Sequence, residues 1–414
     1  MRFENGKALF GGVDYKKLVD EFETPLYVYE QNRIEERFRE MNEAVTYKPR
    51  KLLYACKANT NLHLMHILKD AGCDGIDAAS PGEVELAKKA GFVSSQIYFT
   101  SNSASRAELE YVAKEGTNFN ADSFEQVRTY GAIAKRKGKI SVRINPNIGA
   151  GHHRHVITGG ENSKFGIPQS KAEEIYGVAE NAGLKINGVH MHVGSRFLTS
   201  QSFLKAAKSL LEAAKYFPDL EYVNFGGGVG IPYAPREKEI DLKYFGSRLS
   251  KTFEDWCKDY GRELELVLEN GRYFVADSGY LLTTVTDVKH TPKHVFVGTD
   301  TGFNHLIRPM LYGSYHKIVN LSNPNGKKRK VVVTGNICES GDVFTQSSDG
   351  IEDRKLAEPR VGDVLAILNA GAYGFAMSSN YNSRPRPAEV LVDNGEPRLI
   401  RRRETYHDLM RTIM

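Results

Sequence analysis

No apolar run in the 414-residue chain approaches the length needed to cross a bilayer. The first ten residues include Glu4 and Lys7 and lack the apolar core of a secretion signal. Both absences lead to the expectation of a soluble, cytoplasmic protein without membrane partners. Cysteine is scarce. Cys56, Cys73, Cys257 and Cys338 have neither the paired spacing of a metal site nor the density of a disulfide scaffold, and free thiols are expected for three of them. A strong excess of one charge is also missing, since the net charge is only +5. The basic clusters at 327–330 and 401–403 adjoin the short apolar segments 331–333 and 399–400, with no interleaved aromatics to stack bases. They read as solvated turns and edge strands, which excludes a nucleic-acid surface.

What is present is the balance of a globular protein, 41% hydrophobic and 26% charged, at a length that suggests two domains. Between about Leu52 and Gly271 short β-branched runs alternate with helical patterns. Eight runs read as strands: 52–56, 75–78, 97–100, 117–121, 140–145, 188–193, 222–225 and 264–269. Helical patterns at 81–90, 105–114, 124–137 and 201–216 separate them, and another at 32–44 precedes the first. Eight strand–helix units in roughly 220 residues fit a (β/α)8 TIM-like barrel, usually about 250 residues long. An open doubly wound sheet is the competing arrangement, but it rarely runs to eight consecutive units.

After Ser278 the pattern changes to strands at 280–288, 295–297, 330–334, 364–368 and 388–392, with little helix until the last dozen residues. The expected organisation is an α/β barrel over 31–278 and a mostly β C-terminal domain over 279–414. Residues 1–30, with one strand at 25–29, are assigned to that second domain.

In such a barrel the chemistry sits at the C-terminal ends of the strands. There the sequence places Lys57 after strand 1, Asp77 after strand 2, Arg143 after strand 5 and His192 after strand 6. Strand 8 contributes Glu269, followed by Arg272. Strand 7 runs into Gly226-Gly227-Gly228, where backbone N–H groups can approach a phosphate, although a glycine run is more often a tight turn. Lys57 follows an apolar strand, so its amine is expected in a partly desolvated cavity, neutral enough to form a Schiff base. A snorkelling surface lysine is the bland alternative. A lysine, a phosphate cradle and a carboxylate at one barrel mouth point to pyridoxal 5'-phosphate, with Glu269 holding the pyridine nitrogen protonated.

Two metal readings compete. His190 and His192 share a strand face, like the His-x-His pair of barrel metallohydrolases, but the later strand ends supply glycines and Glu269 rather than further ligands. His152, His153 and His155 lie in a glycine-containing loop at 149–162. No metal is expected.

Ordered motifs run along the chain: Tyr54-Ala55-Cys56-Lys57-Ala58-Asn59, the stretch from Thr158 to Ile167, His190-Met191-His192-Val193-Gly194-Ser195 and Phe225-Gly226-Gly227-Gly228. Arg308-Pro309-Met310-Leu311-Tyr312-Gly313, Cys338-Glu339-Ser340-Gly341-Asp342 and Gly371-Ala372-Tyr373-Gly374 follow. With the stretch from Ser378 to Arg386 and the ending from Leu399 to Arg403, these motifs resemble those of the diaminopimelate decarboxylases.

The resemblance implies a barrel plus β domain, assembled as a homodimer with shared active sites. It makes Lys57 the Schiff-base lysine and stacks His192 on the cofactor ring. It puts Ser195, Gly227, Gly228 and the Gly271–Arg272 region around the phosphate, with Tyr373 also reaching it. Cys338 becomes the acid that serves the neighbouring subunit's site. A thiol with a reference pKa of about 8.5 is protonated at neutral pH and suits that part. One departure stands out: the family usually has Glu-Pro-Gly-Arg where this chain has Glu269-Asn270-Gly271-Arg272. Loss of proline frees φ and adds an N–H, so a small loop shift is expected.

Charge argues for the substrate. Enzymes of this architecture acting on ornithine carry acids where this chain has Arg308. Here Arg272 and Arg308 can hold a distal carboxylate, Glu339 a distal ammonium, and Tyr312 and Tyr373 complete the substrate site. The expectation is meso-2,6-diaminopimelate decarboxylated to L-lysine, the last step of lysine biosynthesis. Decarboxylation of D-ornithine or D-lysine, ornithine, arginine or carboxynorspermidine, or a racemase reaction, is the alternative on the same fold. A non-catalytic cofactor-holding protein is the alternative in another class, but such small barrels lack a β domain and a Cys-Glu-Ser motif.

Overall fold

The structure is a computed structural model and describes residues 1–135, 138–148 and 163–414. The 149–162 loop with its three histidines, the Thr158–Asn162 half of one motif and residues 136–137 of an expected helix lie outside the described residues. The chain forms two compact units. One comprises Glu35–Ile231 and Lys238–Phe274, the other Met1–Ile34, Pro232–Glu237 and Val275–Met414.

The first unit is a closed barrel of eight parallel strands: Arg50–Ala55, Gly75–Ala78, Ile97–Thr100, Asn118–Ala121, Lys139–Asn145, Lys185–His190, Tyr222–Asn224 and Glu265–Asn270. The fourth strand pairs with the fifth through Ala121 and Val142, and the eighth returns to the first through Glu269 and Leu53. All eight expected strands are present. Several begin or end up to three residues from the expected positions, and the sixth stops at His190, so His192 lies beyond it. Strand residues are buried on both faces, as a barrel wrapped by helices requires.

Inside the barrel Leu53, Tyr98, Tyr222 and Val267 form an apolar plug, with the two tyrosine rings edge-to-face at 5.8 Å. Gly188 makes room for that plug, because a Cβ there would lie 2.3 Å from the Tyr222 ring. Strand alternation then turns Glu269, two residues past Val267, to the same interior face.

Three of the outer helices start at serine caps. Ser80, Ser105 and Ser123 accept from the third helical N–H of Pro81–Lys89, Arg106–Glu115 and Phe124–Ile133. The longest helix, Leu242–Tyr260, is capped by Asp241 and was not singled out from the sequence.

The second unit is built on the long strand Gly279–His290, which pairs antiparallel with Leu26–Glu30, Val295–Thr299 and Val364–Ile367. Leu26–Glu30 also pairs parallel with Ala388–Asp393, whose hairpin partner is Glu396–Arg401. The N-terminal strand thus joins the β sheet. The first 30 residues hold more than that strand, however. Arg2–Glu4, Lys7–Phe10 and Val13–Asp14 form a small sheet, and Tyr15–Phe22 is a helix capped by Asp14. Phe10 and Leu18 from this segment pack with Leu26, Val28, Leu282, Ala366 and Val390 in one core. That long-range packing is what orders strands too short to be legible by period.

Candidate active site

At the barrel mouth the eighth strand presents Glu269, almost fully buried. Its Oε1 accepts from Asn224 Nδ2 at 2.6 Å and its Oε2 from His190 Nε2 at 3.0 Å. Burial works against its charge. The His190 ring, the Lys57 ammonium and the Asn224 bond outweigh burial and hold the carboxyl below the usual range.

Lys57 follows the first strand in the single turn Cys56–Ala58, not on the strand itself. Its side chain is 45% exposed, and Nζ lies 3.3 Å from Asp77 Oδ2. The expected desolvated amine is therefore corrected: the turn swings it to the open side of the mouth, where a carboxylate partners it. Burial, and then the charge of Glu269, push the Asp77 carboxyl up to about 6, against the pull of Lys57.

His192 is half-buried, and its Nδ1 accepts from the Gly227 N–H at 3.3 Å. Burial and the cations Lys57 and Arg143 hold its pKa well below 6.5, so its ring is neutral. Arg143 is buried beside Asp122 at 3.6 Å, with its guanidinium over the Phe165 ring at 4.5 Å.

The glycines after strand 7 serve the fold first. A Cβ on Gly227 would lie 1.9 Å from the Glu269 carbonyl, and one on Gly228 2.1 Å from that of Gly194. Gly228 also has φ +109°. The backbone therefore folds tightly around the mouth, and among the described residues no acceptor meets the Gly228 N–H. Ser195 Oγ sits in the fork of Arg272, 3.2 Å from Nε and 3.0 Å from Nη2. Gly271 packs on the first strand, where a Cβ would approach the Ala55 carbonyl at 2.8 Å. Asn270 is buried, and among the described residues neither amide atom of its side chain has a hydrogen-bond partner.

The second unit carries the other sequence-identified residues. Arg308 opens the short helix Arg308–Tyr312 and is 1% exposed. Its Nη2 donates to Ser314 Oγ at 3.2 Å. The rings of Tyr233, Tyr312 and Tyr373 stand 5.5, 5.7 and 5.9 Å from its Cζ. Tyr373 has φ +57°, an uncommon conformation for a bulky residue.

Cys338 and Glu339 are exposed on a loop organised by Asp342. The Asp342 carboxylate accepts from the N–H groups of Phe303 and Ile337, each at 2.7 Å, and burial pushes it up to about 6. The Cys338 N–H donates to Asn382 Oδ1 at 2.7 Å.

The barrel unit thus gathers Lys57, Asp77, His190, His192, Ser195, Asn224, Gly227, Gly228, Glu269 and Arg272. The β-rich unit gathers Arg308, Tyr312 and Tyr373, and separately holds Cys338 and Glu339. Arg272 and Arg308, read from the sequence as a pair of forks, belong to different units. Tyr233, Asn224, Ser314 and the pairing role of His190 were not read from the sequence. Only His190, alternating with His192 near a strand end, offered a signal.

Among the described residues no group of three or more His, Cys, Asp or Glu is placed to hold a metal ion, and no helix is long and apolar enough to cross a membrane. The donor set fits pyridoxal phosphate. One accessible amine suits an aldehyde, and a buried carboxylate held ionised suits a protonated ring nitrogen. A guanidinium with a hydroxyl and an unmet backbone N–H suits a phosphate.

Residues 31–276 match the family described as pyridoxal-dependent decarboxylase, pyridoxal binding domain. The chain is 45% identical to a diaminopimelate decarboxylase of Methanothermobacter thermautotrophicus over 99% of its length and 96% of the relative's. It is 40% identical to one of Archaeoglobus fulgidus, covering 96% and 95%. The crystal structure of diaminopimelate decarboxylase from M. jannaschii in co-complex with L-lysine superposes with a TM-score of 0.92 at 33% identity, covering 100% of this chain and 97% of that one. Matched in fold and in sequence over nearly its full length, the chain belongs to the diaminopimelate decarboxylases, within the pyridoxal-dependent decarboxylase family.

Proposed function

We propose that the protein decarboxylates meso-2,6-diaminopimelate to L-lysine with pyridoxal 5'-phosphate, as a homodimer whose active sites draw on both subunits. The observation that carries the substrate is Arg308: a buried guanidinium ringed by tyrosines suits a distal carboxylate, which ornithine and lysine lack.

The cofactor, when bound, supplies an electron sink for the carbanion left as carbon dioxide departs. The rest falls to side chains. Lys57 provides the amine that attaches the cofactor. Glu269, ionised, keeps a proton on its ring nitrogen. His192, neutral and tethered through Nδ1, offers a flat face. Ser195, Arg272 and the Gly227–Gly228 amides take the phosphate, with Gly271 leaving space beside them. Arg308, Tyr312, Tyr373 and Glu339 orient the distal amino-acid group. Cys338 delivers the proton that replaces the lost carboxylate.

Exposure supports the dimer. Beside the Cys338 loop stand Met310, 41% exposed, and Tyr381, 46% exposed, apolar surface that a second subunit would cover. Four free thiols suit a reducing cytoplasm. The test is carbon dioxide release by the cofactor-loaded protein from meso-diaminopimelate against lysine, ornithine and arginine. Faster turnover of any of the other three would overturn the substrate.

A further inference from the structure

We infer that Tyr233 is a specificity-positioning residue: its ring fixes the Arg308 guanidinium for the substrate's distal carboxylate. The inference rests on the substrate proposed above. Tyr233 lies three residues past Gly230, in the short segment Pro232–Glu237 that groups with the β-rich unit although the chain on both sides of it groups with the barrel. Such an excursion costs loop entropy and needs a structural return.

The segment is fixed from several directions. Glu237 Oε2 accepts from the N–H groups of Tyr233 and Ala234, at 2.8 and 3.0 Å, and Asn369 Nδ2 donates to the Pro232 carbonyl at 3.1 Å. The buried ring meets His316 edge-on, centroids 5.2 Å apart, and His316 Nδ1 in turn donates to the Leu368 carbonyl at 2.8 Å. The ring also faces the Arg308 guanidinium at 5.5 Å, the shortest of the three tyrosine distances.

A ring quadrupole attracts a guanidinium without neutralising it. A carboxylate in the place of Tyr233 would hold Arg308 equally well but would compete with the arriving substrate carboxylate. A tyrosine holds the fork without neutralising it. Tyr233 touches Arg308 rather than the reacting atoms, so its effect should appear in binding.

The experiment compares cofactor-loaded wild type, Tyr233→Phe and Tyr233→Leu on meso-diaminopimelate. Tyr233→Phe should stay within about twofold of wild type in kcat/KM. Tyr233→Leu should raise KM about five- to tenfold with kcat within about twofold and cofactor absorbance unchanged. If the Leu variant is insoluble, Tyr233→Met replaces it, a flexible filler of the same cavity. In an Arg308→Ala background the loss of the ring should add less than about twofold, because the residue acts through the arginine. A KM within twofold of wild type, a fall confined to kcat, or full additivity with Arg308→Ala would overturn the inference alone. A wild type that releases no carbon dioxide from meso-diaminopimelate would instead overturn the proposed substrate, and this inference with it.

Discussion

His190 and Glu269 meet inside the barrel with Nε2 and Oε2 3.0 Å apart and both side chains almost fully buried. Taking a carboxylate out of water is expensive unless each oxygen is satisfied. Here His190 serves one oxygen and Asn224 the other, so the charge is retained at the floor of the mouth. A carboxylate that stays ionised at this depth can hold a proton on a ring nitrogen throughout turnover, which is the condition for an efficient electron sink.

Glu269→Gln should therefore keep cofactor loading, read from the absorbance of the bound cofactor, and lose roughly 10²–10³-fold in kcat. The amide is isosteric, so a fold-wide collapse is not expected. A variant that keeps kcat within tenfold of wild type would show that the carboxylate charge is not what the reaction uses.

Much of this arrangement was legible in the sequence, and the rest was hidden for physical reasons. Eight β-branched runs at regular spacing gave the barrel, because strands buried on both faces need such residues whatever the loops do. Their ends were harder to fix: His192 and Lys57 sit past the strands, where the chain leaves the ladder to form the mouth. His190 stood out only through a competing metal-pair reading that the later strand ends did not complete, because its partner, Glu269, is 79 residues away and no local pattern links them. Tyr233 was illegible for the same reason. Its role depends on a six-residue excursion that groups with distant sequence.

Asp77 supplies a pH test. Its carboxyl is pushed up to about 6, first by burial and then by Glu269. A carboxyl that binds its proton more tightly when folded contributes stability that is full below its unfolded pKa and is lost as pH rises through about 6. Asparagine suffers no such loss. The stability of Asp77→Asn minus that of wild type should rise between pH 4 and pH 7, by about 2 kcal/mol. Urea unfolding of the cofactor-free proteins across that range measures the change. The lost Lys57 contact offsets the whole curve more than it tilts it, so a flat difference would contradict the raised pKa.

Asn270→Leu should stabilise the protein by about 1–2 kcal/mol in chemical denaturation, with kcat altered less than about twofold. Both amide atoms of Asn270 are buried with no hydrogen-bond partner among the described residues, and leucine has nearly the same shape with no polar atom to desolvate. The family resemblance has proline at this position, so the amide is not required by the chemistry. A destabilised variant would mean that an ordered water satisfies the asparagine.

Lys57→Ala and Cys338→Ala should each be inactive, yet mixing them under conditions that exchange subunits should restore activity. The two residues belong to different units of the chain, and Cys338 is exposed on a loop whose carrier, Asp342, is buried and tied to the backbone at Phe303 and Ile337. An exposed acid on a firmly held loop is suited to act outside its own subunit. In a mixed dimer one site carries both substitutions, while the other has an intact lysine from one chain and an intact thiol from its partner. With equal amounts, about half the dimers are mixed and each has one good site of two, so recovery should approach roughly a quarter of wild-type activity. Each variant taken through the same exchange alone should stay inactive. Verified mixed dimers without recovery would mean that Cys338 acts within its own subunit, or that its role is structural.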